Sequence, residues 1–491
     1  MSELIMPILV FLPIVFGLTI PFVHLKTKIA KMFFVEGIVL VTSILAILML
    51  LNQPTTGFTL FNFTDYLSIS FKLDGVGSVF VGICSLLWPF ATLYAFEYME
   101  HEKHQSTFFM FYTITFGVSL GIALSKDILS MYIFYELLTM VTLPLIVHSL
   151  SREAIHASRK YLYYSLGGAA FAFIGVVFIL VYGESANFTL GGVLNLATLA
   201  DKKDLFILIF FLCFSGFSVK TAMFPFCEWL PTAGVAPTPV TALLHAVAVV
   251  KAGAFACIRV TYYCFGPELV KGSWAQTVLM CFIIFTIVYG CSRAIKETHI
   301  KRRLAWSTVS NLSYILFGVI LMTPLGLVGA LCHMCFHAVM KITSFFCAGA
   351  IMHKSHKNYI YELDGMGRKM PLTFIVFTIS GLALMGVPGM CGFMSKWALA
   401  DAALTEGSTL AIVGVVALLV SALLTAIYMM TVSVRAFFPG KDFDYSILDG
   451  IKDPSWMMLI PFALLVVAMI VFGVNAQPFV DFFSNIAMAL M

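Results

Sequence analysis

Long apolar runs separated by short polar loops recur along the whole chain. A helix needs about 20 apolar residues to cross a hydrocarbon layer of roughly 30 Å, and we count fourteen such runs. Strands of a membrane barrel would alternate apolar and polar positions, and these runs do not. The pattern predicts an all-α polytopic membrane protein with about 14 transmembrane helices. They are predicted near residues 4–23, 31–51, 73–96, 107–124, 128–148, 160–182, 205–226, 238–262, 274–292, 303–323, 326–351, 371–396, 408–435 and 455–476.

Composition agrees with a membrane setting. Hydrophobic residues make up 60 % of the 491 positions and charged residues only 11 %. A single soluble core of this composition would leave too little polar surface to cover it. The first apolar run follows Met-Ser-Glu rather than a basic segment and lacks a clear cleavage site. We therefore interpret it as the first spanning helix and not as a signal peptide.

The positions of the positive charges test the number and orientation of the helices. Cytoplasmic loops are enriched in lysine and arginine. With the N-terminus outside, nineteen of the 29 lysines and arginines lie in inner loops and four in outer loops. An error of one helix would mix the two sets. This distribution predicts a multi-pass protein of the cell (cytoplasmic) membrane with both termini on the outer side.

Six basic residues remain within or at the ends of the predicted helices. Lys72 and Arg259 lie near helix ends, where long side chains can reach the interface. A charge near the bilayer centre costs at least about 2.5 to 3.5 kcal/mol, and such residues tend to mark an ion path. A structural tether to a backbone carbonyl is the alternative for any one of them. The four deep lysines are Lys220, Lys251, Lys341 and Lys396.

One carboxylate is predicted deep in a helix. Glu136 lies nine residues beyond Asp127, at the outer end of the fifth predicted helix. That spacing places it about 14 Å into the membrane, near the midplane. An unpaired carboxylate there would take up a proton, so we expect a lysine partner. A protonated Glu136 hydrogen-bonded within the bundle is the alternative.

Histidines accompany the lysines in two predicted helices. In the eleventh, His333, His337 and Lys341 recur every four residues and share one stripe. Neutral imidazoles pass protons readily because one nitrogen accepts while the other donates. In the eighth, His245 and Lys251 are six residues apart and do not share a face, although both could reach one water-filled cavity. His245 could equally be a packing residue.

Two predicted helices contain breaks beside a lysine. Irregular backbone at membrane depth survives only where it is buried in protein or lines water, so each break predicts a hydrated pocket. Matched breaks in two halves indicate an inverted repeat. Residues 1–106 then hold the first three helices, 107–262 one five-helix repeat, 263–436 its inverted copy and 437–491 the last helix. The seventh helix has Pro225, Pro231, Gly234, Pro237 and Pro239 after Lys220, and the twelfth has Gly386, Pro388, Gly389 and Gly392 before Lys396.

Four stretches connect these residues with a known family: DILSMYIFYELLT, the run from Lys220 through FPFCEWLPTAGVAPTPVTALLHAVAVVKAG, IKRRLAWSTVSNLSY and GVPGMCGFMSKW. The chain resembles the antiporter-like subunits shared by respiratory complex I, membrane-bound hydrogenases and Mrp-type cation/proton antiporters. It is most similar to the Mrp D-type branch. The resemblance implies that Glu136 and Lys220 form a pair, that Lys251 is the central relay lysine and that Lys396 is the terminal residue of the path.

The chain departs from that family pattern in three places. Lys396 stands where the resembling complex I subunit has glutamate, and Cys227 replaces a histidine. The sequence also ends soon after the fourteenth predicted helix. We therefore expect neither a long lateral helix nor the extra C-terminal domains of the Mrp A type.

No cofactor or metal is predicted. The sequence has no P-loop and no G-x-G-x-x-G after a strand. Its eleven cysteines are scattered, and Cys332-x-x-Cys335 has no companion pair with zinc or iron–sulfur spacing. No autonomous redox active site is therefore recognisable, and energy must come from neighbouring subunits.

These features predict a proton-translocating subunit of a multisubunit membrane complex. Its partners would be other membrane subunits of an antiporter, respiratory or hydrogenase complex, together with the lipid bilayer, and not nucleic acid. The parent complex and the choice between protons and sodium stay open. Two other classes of function also stay open: a self-sufficient secondary transporter of a small solute and a structural scaffold.

Overall fold

The computed structural model describes residues 3–23, 27–64 and 67–488. Helices dominate these residues, and most are joined by short loops. The first half contains α1 Ile5–Thr19, α2 Lys28–Asn52, α3 Gly75–Tyr98, α4 Gln105–Leu124, α5 Ile128–Ile146, α6 Arg152–Tyr182, α7 Lys203–Ser218, α8 Trp229–Ala233, α9 Thr238–Ala246 and α10 Val249–Arg259. The second half contains α11 Pro267–Val270, α12 Trp274–Lys296, α13 Ile300–Ile320, α14 Pro324–Ser355, α15 Pro371–Met385, α16 Cys391–Glu406, α17 Thr409–Phe437, α18 Trp456–Val474 and α19 Gln477–Met488.

Polar residues at the loop ends fix where many helices begin. The Asp74 carboxylate accepts from the Gly77 amide at 2.8 Å at the start of α3. Asp127 accepts from the Ser130 amide at 2.7 Å at the start of α5. Thr323 does the same for α14. The first amides of a helix lack intrahelical partners, so these side chains satisfy groups that would otherwise be unpaired at a helix end.

A small β-hairpin, which was not predicted from the sequence, interrupts the helical order of this otherwise all-α fold. Strands β1 Phe58–Asn62 and β2 Ser68–Phe71 pair antiparallel between α2 and α3. Alternation such as Ser-Ile-Ser in β2 is a strand pattern, but it lies in a short connection between two long apolar runs. The Ser70 hydroxyl donates to Asp127 at 2.6 Å and ties the hairpin to the start of α5.

Among the described residues, ten helical spans are long and apolar enough to cross a membrane. Two others, α1 and α15, are apolar but short. The predicted seventh and twelfth helices are interrupted after Ser218 and after Met385. Helix α13 begins with Lys301, Arg302 and Arg303, which lower its hydropathy. The protein is therefore a predominantly helical membrane protein.

The centre of the bundle is built around α14. This helix packs against α3, α9, α13, α15, α16, α18 and α19, and its most apolar window is 89 % buried. The continuous stretch Thr238–Phe265, which holds α9 and α10, is completely buried. Because both segments carry lysine and histidine, ionisable side chains lie in the most buried part of the protein.

Arg259 and Lys72, the two basic residues predicted near helix ends, differ in burial. Arg259 is fully buried, whereas Lys72 is exposed. Two guanidinium nitrogens donate to the Asp74 carboxylate at 2.5 and 2.7 Å. The rings of Phe188, Phe255 and Tyr263 lie 4.6 to 4.8 Å from the guanidinium carbon. Arg259 thus joins α10 to the start of α3 through a buried ion pair.

Candidate functional site

The interruption between α7 and α8 is held by specific hydrogen bonds. Helix α7 ends at Ser218, and the chain turns irregularly until Trp229. The Trp229 indole donates to the Val219 carbonyl at 2.8 Å. The Phe224 amide donates to the Thr286 hydroxyl on α12 at 3.1 Å. The break predicted from the prolines is therefore an ordered segment, and it carries Lys220.

Lys220 is buried against α5. Only 1 % of the residue is exposed. Its ammonium donates to the Tyr135 carbonyl at 2.5 Å and lies 3.3 Å from the centre of the Tyr135 ring. Gly253 on α10 permits this position, since a Cβ there would come within 2.9 Å of the Lys220 Cβ. The lysine is thus clamped between a carbonyl, an aromatic face and a glycine.

Glu136 is adjacent to the lysine's partner but is not bonded to it. Among the ion pairs within 4.0 Å in the described part of the chain, none joins Glu136 to Lys220. The Glu136 Oε1 atom is buried and has no hydrogen-bond partner. The structure therefore shows no direct ion pair, and Lys220 instead binds the carbonyl of the residue that precedes Glu136.

Lys251 connects α10 with α14. It is fully buried, and its ammonium lies 3.1 Å from the His337 Nδ1 atom. His245 lies on the separate helix α9, since the chain leaves helical geometry at residues 247 and 248. Both ring nitrogens of His245 are buried without a partner, and its ring is 4.8 Å from that of Phe345. Unpaired buried nitrogens of this kind are places where water would bind.

The predicted stripe on α14 is fully buried, and each member contacts a different neighbour. The His333 Nδ1 atom lies 2.9 Å from the Ser395 hydroxyl on α16. The rings of His333 and His337 are 5.6 Å apart. The Lys341 ammonium donates to the Ser307 hydroxyl at 2.6 Å. Both histidines leave Nε2 without a partner, so the stripe has free positions for proton exchange with water.

Lys396 lies just after the second break. Its ammonium donates to the carbonyls of Leu384 and Met385 at 2.7 and 3.0 Å. These are the last two residues of α15, where carbonyls lack intrahelical partners. Ser395, which contacts His333, is its neighbour in sequence. Lys251, His337, His333 and Ser395 therefore form a row of neighbouring side chains. Lys396 adjoins this row through the Tyr314 ring, whose centre lies 5.4 Å from the Lys396 ammonium and 5.0 Å from the centre of the His333 ring.

Sequence reasoning missed several side chains that complete this row. Tyr135 binds Lys220, and Ser395, the residue before Lys396, contacts His333. Ser307 accepts from Lys341 and lies 2.6 Å from the Tyr428 hydroxyl. Serine and tyrosine are common in membrane helices, so composition gave no signal. Ser307 does lie in the quoted KRRLAWSTVSNLSY stretch, and Ser395 directly precedes Lys396.

A polar cavity of about 560 Å³ opens near the starts of α6 and α13. Lys301 lines it, is only 4 % exposed and donates to the Ala236 carbonyl at 2.7 Å. At its rim, burial together with the charges of Lys301 and Arg302 lowers the pKa of His299 to about 4. The lining of this cavity does not include Lys251, His337, His333, Ser395 or Lys396.

Within the described residues, no group of three or more histidine, cysteine, aspartate or glutamate side chains could hold a metal ion. All eleven cysteines are free.

Comparison with known proteins identifies the family to which this sequence is related. Residues 125–425 match a family model described as "NADH:quinone oxidoreductase/Mrp antiporter, TM". The chain belongs to this family. The match covers the region from the start of α5 to the middle of α17, including every predicted site residue. The family membership predicted from the sequence is confirmed, whereas the assignment to the Mrp D-type branch stays a prediction.

Two curated members of the family show the range of relatives. The chain is 28 % identical over 493 residues to the Na(+)/H(+) antiporter subunit A1 of Staphylococcus aureus, covering 95 % of this chain and 60 % of that protein. It is 29 % identical over 420 residues to NADH-quinone oxidoreductase subunit N of Desulforudis audaxviator, covering 82 % of each. The chain thus spans less than two thirds of the antiporter subunit.

Solved structures of three membrane complexes contain chains that share this fold. A chain of an archaeal membrane-bound sulfane sulfur reductase superposes with a TM-score of 0.84 at 23 % identity, covering 99 % of this chain and 97 % of that one. A chain of the Mrp complex from Dietzia sp. gives 0.85 at 22 % identity, with 98 % and 52 % covered. A chain of respiratory complex I from Thermus thermophilus gives 0.82 at 22 % identity, with 99 % and 98 % covered.

Proposed function

We propose that this protein is a proton-translocating, antiporter-like subunit of a multisubunit membrane complex. The observation that carries the proposal is the buried row Lys251, His337, His333 and Ser395, in which successive groups lie on three different helices and which ends one residue before the half-buried Lys396. Buried ionisable groups are expensive in a membrane and typically mark ion paths. The named relatives are an antiporter subunit and a quinone oxidoreductase subunit, which supports the same conclusion.

The proposed switch is Lys220 with Glu136. Desolvation disfavours a protonated lysine, and a nearby carboxylate favours it. In the observed arrangement the ammonium binds the Tyr135 carbonyl, and Glu136 Oε1 has no partner. A small rotation of either side chain would strengthen or weaken their attraction. Lys220 would hold its proton when the carboxylate is close and release it towards Lys251 when the two separate.

From Lys251 the proton would pass along α14 to the second break. The 3.1 Å contact with His337 makes the first transfer direct. Water would bridge the two histidine rings, and the Ser395 hydroxyl would lead to Lys396. Lys341, with Ser307 and Tyr428, forms a side branch. His245 and Lys301 would supply a connection to the cavity beside α6 and α13.

The finer architecture supports this path and is part of the proposal. We propose fourteen spans in which α7–α8 and α15–α16 are the two broken helices of inverted repeats over residues 107–262 and 263–436. Both breaks lie beside a lysine, and each has helical segments on both sides. Both termini would then face the outer side of the cell membrane. Helices 1–3 and the last span flank the repeats.

Other membrane subunits would supply the driving force. The structural neighbours are chains of a Mrp complex, a respiratory complex I and a membrane-bound sulfane sulfur reductase. Exchange of protons with sodium through a neighbouring subunit and coupling to a redox module are both compatible with the row. We propose protons as the ion within this chain because its groups are lysines and histidines instead of clustered oxygen ligands.

Proton and sodium flux in inverted vesicles that contain the whole complex tests the proposal. Lys251→Ala should abolish proton flux at unchanged assembly, whereas Lys251→His should retain part of it because imidazole also titrates. Lys271→Ala, which removes an exposed lysine of a loop, is the matched control. Full flux in Lys251→Ala would show that the buried charges are structural. Solute transport by the purified chain alone in liposomes would instead identify a self-sufficient transporter.

A further inference from the structure

Two adjoining cavities outside the proton path form one amphipathic site. The first is an apolar slot of about 340 Å³ between α3, α14, α18 and α19. The second is a polar mouth of about 660 Å³ at the start of α3. Ser78 and Phe482 line both cavities. We propose that this site binds one anionic phospholipid, with an acyl chain in the slot and the headgroup phosphate in the mouth.

The slot has the shape and surface of an acyl-chain site. Along α3 its lining runs from Ser78 to Leu87, a rise of about 14 Å. Leu86 and Phe482 are 42 % and 37 % exposed, so the slot opens sideways towards the bilayer. Apart from Ser78 and Cys335 its lining side chains are apolar, which suits a single flexible hydrocarbon chain.

The mouth offers donors to a phosphate. Lys72, Gln53, Thr55 and Asn485 are exposed and line the mouth, and their side chains make no hydrogen bond or ion pair within the part of the chain that the structure describes. Asp74 is the only carboxylate in this lining, and Arg259 neutralises it with two hydrogen bonds. The mouth thus carries the net charge of Lys72. This charge favours a headgroup of net negative charge over a neutral quinone and over a zwitterionic lipid, whose own cation offsets its phosphate.

The slot also reaches the back of the proton path. Cys335 and Val339 of α14 line it, while His337, two residues from each, points towards Lys251. Residues two apart on a helix face nearly opposite directions. An acyl chain in the slot would therefore pack against the face of α14 opposite its histidines and exclude water there.

Cysteine labelling tests the site in the full-length protein. The reaction of Cys335 with N-ethylmaleimide is measured by peptide mass spectrometry in phosphatidylcholine nanodiscs, with and without phosphatidylglycerol. Cys335 is half-buried in the slot, and Cys281 is exposed on α12, outside both cavities. Phosphatidylglycerol should slow Cys335 severalfold and leave Cys281 unchanged. Equal Cys335 rates in both nanodiscs, or the same slowing at Cys281, would overturn the proposal.

Two substitutions separate the slot from the mouth. Gly82→Leu fills the slot, because a Cβ at Gly82 meets only Leu50 at 3.8 Å, and should remove the dependence on phosphatidylglycerol. Gly167→Leu, with nothing within 4 Å of its Cβ, is the matched control and should behave as wild type. Lys72→Gln should weaken the lipid preference about fivefold, the effect of roughly one surface lysine, while Lys271→Gln should not. Unchanged lipid dependence in Gly82→Leu contradicts the assignment.

Other occupants give distinct results. Protection of Cys335 by menaquinone in phosphatidylcholine alone would assign the slot to a quinone. Protection in the whole complex without phosphatidylglycerol would assign it to a neighbouring subunit. If Cys335 reacts in neither lipid, native mass spectrometry compares bound phosphatidylglycerol in the same variants. Retention by wild type and Gly167→Leu, with loss from Gly82→Leu, supports the site, and equal retention by all three overturns it.

Discussion

Lys220 and Lys396 both lie beside a broken helix, but the two breaks satisfy them in different ways. Lys220 lies within the irregular segment and binds the carbonyl of Tyr135, which belongs to the neighbouring intact helix α5. Lys396 lies within α16 and binds the final carbonyls of α15. In the second case the break itself creates the acceptors, because the last carbonyls of a helix have no intrahelical partners.

Lys220 therefore depends on a partner that can change, whereas the partners of Lys396 are fixed. Helix C-termini carry a partial negative charge, so Lys396 is stabilised by fixed backbone dipoles. Lys220 has only one carbonyl and an aromatic ring, and the remaining negative charge must come from Glu136. A carboxylate can move or take up a proton, whereas a helix end cannot. We therefore expect control of the proton to reside at Lys220 and reception of the proton at Lys396.

The largest effect is expected from Lys220→Ala. Loss of a proton-transfer group typically reduces a rate by about a hundredfold or more, so proton flux in vesicles should fall to background. Assembly should be retained, since alanine removes the buried charge together with its need for a partner. Glu136→Gln should reduce flux less, because the amide preserves the shape but not the charge. Wild-type flux in Lys220→Ala would place the switch elsewhere.

Lys396→Glu should lower the stability of the protein as well as its proton transport. A carboxylate would face the carbonyl oxygens of Leu384 and Met385, which would lose their donor. Each unpaired buried acceptor costs about 1 to 3 kcal/mol. Lys396→Gln keeps an N–H donor and is the control. Thermal unfolding of the purified chain should show a lower midpoint for the glutamate variant only. Equal midpoints would mean that the α15 carbonyls do not hold Lys396.

Tyr135 tests the aromatic half of the first site. Tyr135→Leu removes the ring 3.3 Å from the Lys220 ammonium, an interaction of about 2 kcal/mol where the cation is desolvated. We expect proton flux in vesicles to fall about tenfold. Tyr135→Phe keeps the ring and loses only the hydroxyl bond to the Phe217 carbonyl, so it should remain near wild type. If the two variants are equally impaired, the hydroxyl and not the ring is the important group.

The smallest effect is expected at Gly386. Its φ is +89°, and an added Cβ would lie 3.1 Å from the Lys396 Cδ atom. Gly386→Ala should therefore lower stability by about 1 to 2 kcal/mol and displace the lysine. Gly389 has a φ of +88° with nothing within 4 Å, so Gly389→Ala reports the backbone strain alone. An unfolding midpoint that differs between the two variants measures the contact with Lys396.

The membrane class, the helix breaks and the family could be predicted from the sequence because each depends on local signals. Apolar length predicts spans, prolines and glycines predict breaks, and charged motifs identify relatives. Helix α13 shows the limit of hydropathy, since its polar start keeps it outside the ten apolar spans, whereas residues 303–323 are among the fourteen spans predicted from the sequence. The hairpin was missed because its strands are only five and four residues long.

Contacts between helices could not be predicted in the same way. The Arg259–Asp74 pair joins positions 185 residues apart, and the Lys251–His337 contact joins positions 86 apart. Both depend on the rotation and tilt of separate helices, which a single sequence does not specify. The partner of Lys220 is a backbone carbonyl, which every residue possesses, so no residue type could indicate it.

The spacing of His333 and His337 has a consequence for the speed of transport. The centres of their rings are 5.6 Å apart, and both Nε2 atoms are buried without a partner. In the proposed path, water bound at these nitrogens would carry the proton between the two rings. Throughput should then respond to osmotic stress, which withdraws such water, and should show a solvent isotope effect in heavy water. Hydration of this gap would then limit the conductance of the subunit.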